Sequence, residues 1–200
     1  MLAPPSANAR AVVIISAVGN EDQEGARKLV QKLRDAGMIA LQISHDGVPE
    51  GRKQFANYFS TYNRTALQER VAELKVAAQY AQQKFKVRKV FVIGRGSAGL
   101  AALAAAPLVS GVAADCNGLD DSNDENLLDL NIFFPGVRRI GSFQGIAALA
   151  APNPLLIHNT AGKLNVSWLP ALYEKSIDRQ IEARISDEAL VDWAREFAGR

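Results

Sequence analysis

The sequence predicts an α/β protein: a three-layer α/β/α sandwich around a mostly parallel sheet of about six strands. Three observations carry this. Short apolar runs alternate with longer segments whose apolar positions recur every three or four residues. The runs, Ala11-Val12-Val13-Ile14-Ile15-Ser16 above all, are apolar at nearly every position, as strands covered on both faces are. One of them, Val90-Phe91-Val92-Ile93, enters the glycine turn Gly94-Arg95-Gly96-Ser97-Ala98-Gly99 and then an alanine-rich segment, which reads as strand, tight turn and helix.

Taken in order, Ala11 to Ser16 is the first strand, and Val18 to Asp22 is a loop. Glu24 to Ala36 is an amphipathic helix with Ala26, Leu29, Val30 and Leu33 on one face, and Gly37 stands where a C-cap belongs. Met38 to Ile43 is the second strand. His45 to Asn63 is a long irregular connection. Thr65 is placed to cap a helix running to about Lys84, because Leu67, Val71, Leu74, Ala78 and Ala81 keep helical spacing. Lys89 to Ile93 is the third strand, and Gly111 to Ala114 is a weaker fourth. Asn117 to Asp129 is a polar, acidic loop, and Phe143 to Ala150 a short helix. Pro154 to His158 is the fifth strand, Trp168 to Lys175 a helix, and Gln180 to Ile185 the sixth strand. Ala189 to Ala198 closes the chain as a helix with Leu190, Trp193, Ala194 and Phe197 inward. Residues 11–200 read as one domain and residues 1–10 as a flexible arm or the cut end of a linker.

The 200 residues are 48% hydrophobic and 22% charged, with a formal net charge of +2. That balance, with basic and acidic residues interleaved, predicts neither a nucleic-acid nor a membrane partner. The single cysteine, Cys116, excludes an internal disulfide framework. No apolar run reaches membrane-spanning length, and the first residues lack the basic and apolar regions of a signal peptide. The compartment stays open: cytoplasmic, or an excised domain of a secreted protein.

In such sheets ligands gather at the carboxyl ends of the strands, which here carry Ser16 to Gly19, Ser44 to Asp46, Arg95 to Ser97, Asp115 to Asn117, His158 to Thr160 and Ser186 to Asp187. The glycine turn has two readings. As G-x-G-x-x-G, Gly94, Gly96 and Gly99 would cradle a dinucleotide pyrophosphate, with Asp115 on a ribose. As a relative of G-x-S-x-G, the turn is a nucleophile elbow. Element order favours the elbow, because the dinucleotide fingerprint belongs to the first βαβ unit and two strands precede this one.

Thr61-Tyr62-Asn63-Arg64-Thr65 before a helix with Arg70-Val71, Val90 to Leu100, Ala114-Asp115-Cys116-Asn117-Gly118, and Ala151-Pro152-Asn153-Pro154-Leu155-Leu156-Ile157-His158-Asn159-Thr160 follow in an order and spacing that resemble the α/β-hydrolase superfamily. Within it, the chain is most similar to acetyl-xylan-esterase-like and dienelactone-hydrolase-like proteins. The resemblance covers nearly the whole chain and implies a truncated α/β-hydrolase core. It also implies hydrolysis of carboxylic esters, possibly of acetylated carbohydrate, with no cofactor and a small-molecule ester as partner. The chain departs from the family at each triad position. Gly96 stands at the nucleophile position, Gly162 at the acid position, and Ser186-Asp187-Glu188 offers no histidine where the base belongs.

Two functional expectations result. One is an esterase with a displaced triad of Ser97, His158 and Asp115. The other is an inactive hydrolase-like scaffold or binding domain. Ser97 would otherwise serve a backbone amide in the first helical turn, and His158 a loop carbonyl. His45 with Asp46 is a further base–orienter pair, on a strand end whose neighbouring side chains diverge. The acidic run of Asp120, Asp121, Asp124, Glu125 and Asp129 reads as a solvated loop or a calcium site. Tyr58, Phe59, Tyr62 and Arg64 read as an anchor for the long connection or as a sugar-stacking cluster.

Overall fold

Even-numbered residues of the first strand and odd-numbered ones serve two separate cores. Val12 and Ile14 join one apolar cluster, and Val13 and Ile15 another. This alternation follows from the strand period of two and makes the sheet the middle of three layers. The computed structural model describes residues 11–164, 167–168 and 177–198. The elements in chain order are β1 (Ala11–Val18), α1 (Asn20–Asp35), β2 (Ile39–His45), α2 (Glu50–Gln54), α3 (Ala56–Tyr62), α4 (Ala66–Phe85), β3 (Lys89–Gly94), α5 (Ala98–Ala104), β4 (Gly111–Asp115), α6 (Asp124–Leu127), α7 (Ser142–Ala148), β5 (Leu155–His158), β6 (Ile177–Ile181) and α8 (Asp187–Ala198).

The strands form one sheet in the order β2-β1-β3-β4-β5-β6, with every neighbouring pair parallel. Helices α1 and α8 cover one face through Leu29, Leu33, Leu190 and Trp193, and Trp193 packs edge-on against Phe91 at 6.0 Å. Helices α4, α5 and α7 cover the other through Leu74, Leu100, Leu103 and Phe143. Strand order reverses between β1 and β3, so the crevice at their carboxyl ends is the place where such a sheet offers a ligand site.

The predicted N-cap holds. The Gln68 N–H donates to Thr65 Oγ1 at 3.3 Å, and the Thr65 N–H donates to Gln68 Oε1 at 2.9 Å. This reciprocal pair satisfies two amides that the first turn leaves free. Thr65→Ala is expected to lower stability by about 1 kcal/mol in urea unfolding.

Three expectations are corrected. The connection after β2 is not irregular but holds α2 and α3. Helix α2 buries no residue and lacks an apolar stripe, and ion pairs such as Arg52–Glu69 at 2.8 Å tether it. Tyr58 and Tyr62 do not anchor this segment; they are 75% and 92% exposed. The last strand lies at Ile177–Ile181 rather than from Gln180 to Ile185. Residues just beyond Ile181 also pair, though not with a strand. The carbonyls of Glu182 and Ala183 accept from the amides of Ala161 and Asn159 in the loop after β5. The predicted helix from Trp168 to Lys175 lies outside the described residues beyond Trp168. Among the described residues, no helix is long and apolar enough to cross a membrane.

Candidate functional site

The glycine turn closes because three side chains are missing from it. A Cβ on Gly94 would lie 2.6 Å from the Cα of Gly99, and a Cβ on Gly99 would run into the backbone of Asp115. These glycines let α5 press against β3 and β4. Gly96 adopts φ +51°, the left-handed conformation in which an elbow projects one residue above the sheet. Arg95 stands where a small residue would ease the turn. Its guanidinium is accommodated by α1, where a Cβ on Gly25 would lie 2.7 Å from it. It also binds Asp187 at the start of α8 at 2.7 Å.

The backbone is therefore that of a nucleophile elbow, but the space for the nucleophile is taken. A Cβ on Gly96 would collide with the carboxylate of Asp22, from the first turn of α1. Arg184 holds Asp22 there at 3.2 Å and donates through Nε to Asp115 at 2.8 Å. Asp115 is buried, and both of its oxygens are committed. Oδ1 accepts from the Asn117 amide at 2.9 Å and from Asn159 Nδ2 at 2.7 Å. Oδ2 accepts from the Gly96 amide at 3.2 Å as well as from Arg184. An Asp22–Arg184–Asp115 bridge thus links the start of α1 to the carboxyl end of β4 beside the glycine turn. The same bonds bear on the dinucleotide reading, because the Gly96 amide that would meet a phosphate is already donated to Asp115.

The structure does not bring Ser97, His158 and Asp115 together by hydrogen bonds. Ser97 precedes α5, and its hydroxyl makes no cap bond. It lines a cavity of about 490 Å³ with Cys116, Asn117, Asp120, Asn126 and Lys163. Leu100 and Ile132, of the core shared with α4, α5 and α7, line it too. His158 lies two residues after Leu156, so its ring faces the opposite side of the sheet, toward α1 and α8. Neither ring nitrogen has a hydrogen-bond partner, so it serves no loop carbonyl. Burial pushes its pKa down to about 4. The charge of Asp115 opposes that shift, and those of Arg184 and Arg95 add to it. Burial raises the Cys116 thiol well above its ordinary value, which keeps it protonated beside the cavity.

A second relay was not legible in the sequence. Ser16 Oγ lies 2.8 Å from His45 Nε2, and His45 Nδ1 lies 2.5 Å from Glu73 Oε2 on α4. His45 thus pairs with Glu73 rather than with Asp46. Burial lowers its pKa, and the Glu73 hydrogen bond opposes that. A neutral ring that gives its Nδ1–H to the carboxylate would accept the serine hydroxyl at Nε2. The bond order is that of a catalytic triad, but the exposure is inverted. Ser16 is fully buried on β1 while Glu73 reaches solvent. A substrate carbonyl has no route to Ser16 Oγ, so the relay ties α4 to the sheet.

The sequence does not disclose the pairings of Asp22, Arg184, Glu73 and Ser16, because each is a contact between distant segments. The only signal in the sequence was Gly96 itself, a residue with no side chain where a reactive one was expected. Among the described residues, no group of three His, Cys, Asp or Glu side chains could hold a metal ion, and three carboxylates of the acidic loop have hydrogen-bond partners. Asp120 accepts from Ser122, Asp129 from the Asn131 amide, and Asp124 from Arg138.

No protein-family model and no curated protein matches the sequence. Solved structures do match in shape. One is a structure described under LipS and LipT, two metagenome-derived lipolytic enzymes, with 13% identity and a TM-score of 0.54; the match spans 96% of this chain and 94% of that one. Est1E from Butyrivibrio proteoclasticus shares 13% identity with a TM-score of 0.55, over 96% of this chain and 89% of that one. A protein from Lactobacillus plantarum described as a carboxylesterase shares 11% identity with a TM-score of 0.58, over 100% and 90%. The parallel six-stranded sheet and the elbow, with these neighbours, define the fold as an α/β-hydrolase-like core. At such identities the likeness is one of fold.

Proposed function

We propose that this chain is a non-hydrolytic binding domain on an α/β-hydrolase-like scaffold, and that the cavity beside the elbow takes a small polar ligand. One observation carries the reading: the Asp22 carboxylate occupies the space into which a nucleophile at position 96 would project. Covalent ester hydrolysis needs a nucleophile, a base in reach of it and an oxyanion site. Here the elbow residue has no side chain, and its amide is bound to Asp115. The cavity supplies hydroxyl, amide, carboxylate and amine groups from Ser97, Asn117, Asn126, Asp120 and Lys163, a set suited to hydroxyl-rich molecules.

A second reading keeps the ester chemistry, including that of acetylated carbohydrate, and makes Ser97 its nucleophile. It is favoured by the unused Ser97 hydroxyl facing the cavity. Intact-mass analysis after fluorophosphonate treatment, run beside turnover of a simple acetyl ester, separates the two. The binding reading expects no adduct and no turnover above the uncatalysed rate. An adduct or turnover abolished by Ser97→Ala would overturn it.

A further inference from the structure

The outer face of α4 is a surface whose chemistry neither the elbow nor the cavity uses. A groove of about 510 Å³ runs between this helix and strand β2, lined by Ile43, Ala72, Glu73, Val76, Ala77 and Tyr80. Val76 is 63% and Tyr80 55% exposed, which is unusual for adjacent apolar side chains on one helix face. Strand β2 is an edge of the sheet, and its sequence Ile39-Ala40-Leu41-Gln42-Ile43-Ser44-His45 has none of the lysines or prolines that usually guard an edge.

We infer that this face of α4 is the contact surface of a two-fold dimer of the chain. The order of residues along the helix identifies the occupant. Glu73, Ala77, Tyr80 and Lys84 follow at i, i+4, i+7 and i+11, so they form one stripe that is acidic at its N-terminal end, apolar in the middle and basic at its C-terminal end. Such a stripe complements a copy of itself laid antiparallel. With the two-fold axis midway between Glu73 and Lys84, Glu73 faces Lys84 of the partner subunit, and Tyr80 lies over Ala77 of the partner subunit. A bulky ring then meets a small side chain twice, and an acid meets a base twice. The helix dipoles also oppose. Glu73 can do this without releasing His45, because only Oε2 is used in that bond.

Sedimentation velocity over a concentration series tests the dimer directly. The unmodified chain is expected to sediment as a dimer at the higher concentrations. Tyr80→Glu is expected to sediment as a monomer throughout. Lys84→Glu, which sets a carboxylate against Glu73, is expected to weaken association at least about tenfold at low salt. Leu128→Glu, a change at an exposed apolar residue outside the groove, is expected to leave the dimer intact. Circular dichroism checks that each variant keeps its fold. A chain that stays monomeric at every concentration overturns the inference. So does a dimer that Tyr80→Glu leaves intact, or one that Leu128→Glu disrupts equally.

Discussion

Asp115→Ala is expected to cost about 3–5 kcal/mol of stability in urea unfolding followed by circular dichroism, the largest loss among single changes at the elbow. The carboxylate is buried and accepts from two backbone amides, one asparagine side chain and one guanidinium. Truncation leaves the buried Gly96 amide without an acceptor, and takes one from the part-buried Asn117 amide and Asn159 Nδ2. Arg184 contributes less, because it is half-exposed and its loss is screened by water. Arg184→Met is accordingly expected to lose no more than about 1 kcal/mol. A loss below about 1 kcal/mol for Asp115→Ala would mean that Asp115 does not hold the elbow closed. The two variants together separate a structural carboxylate from an ion pair that merely sits on the surface.

What the sequence disclosed and what it hid follow from the range of the interactions involved. Continuous apolar strands, helical spacing in α1, α4 and α8, and a glycine turn between β3 and α5 are local patterns, and each reported its element. Thr65 and Gln68 are three residues apart, so the cap was legible. The short helix α2 was not, because it buries no residue and so carries no apolar period. The site was half legible. Gly96 marked the loss of a nucleophile, but what replaced it depends on Asp22 and Arg184, which stand 162 residues apart. Ser97 and His158 both lie at strand ends and so looked like neighbours. The strand period of two sends His158 to the α1 side, while the turn leaves Ser97 on the α5 side. Pairing at the sheet edge was predictable, but the face on which each side chain emerges was not, since the register of the turn fixes it.

The second large effect is acid sensitivity from His158. A histidine buried with both ring nitrogens unpartnered contributes to stability only while neutral. Its pKa stands at about 4 in the folded chain against 6.5 for an ordinary histidine. Between those values the unfolded chain binds a proton that the folded chain refuses. Stability from this group is therefore complete above pH 6.5, falls as pH drops toward 4, and is lost below it. The gap corresponds to about 3 kcal/mol. The informative quantity is the difference from a variant that cannot titrate at position 158. His158→Phe puts a somewhat larger apolar ring in its place, without orphaned nitrogens. It is expected to match or exceed the unmodified chain at pH 7, and its advantage should widen by about 3 kcal/mol by pH 4. Parallel slopes for the two proteins across that window would place the acid-sensitive group elsewhere. A widening gap would show that His158 refuses a proton down to about pH 4, which makes it too weak a base for general-base catalysis near neutral pH.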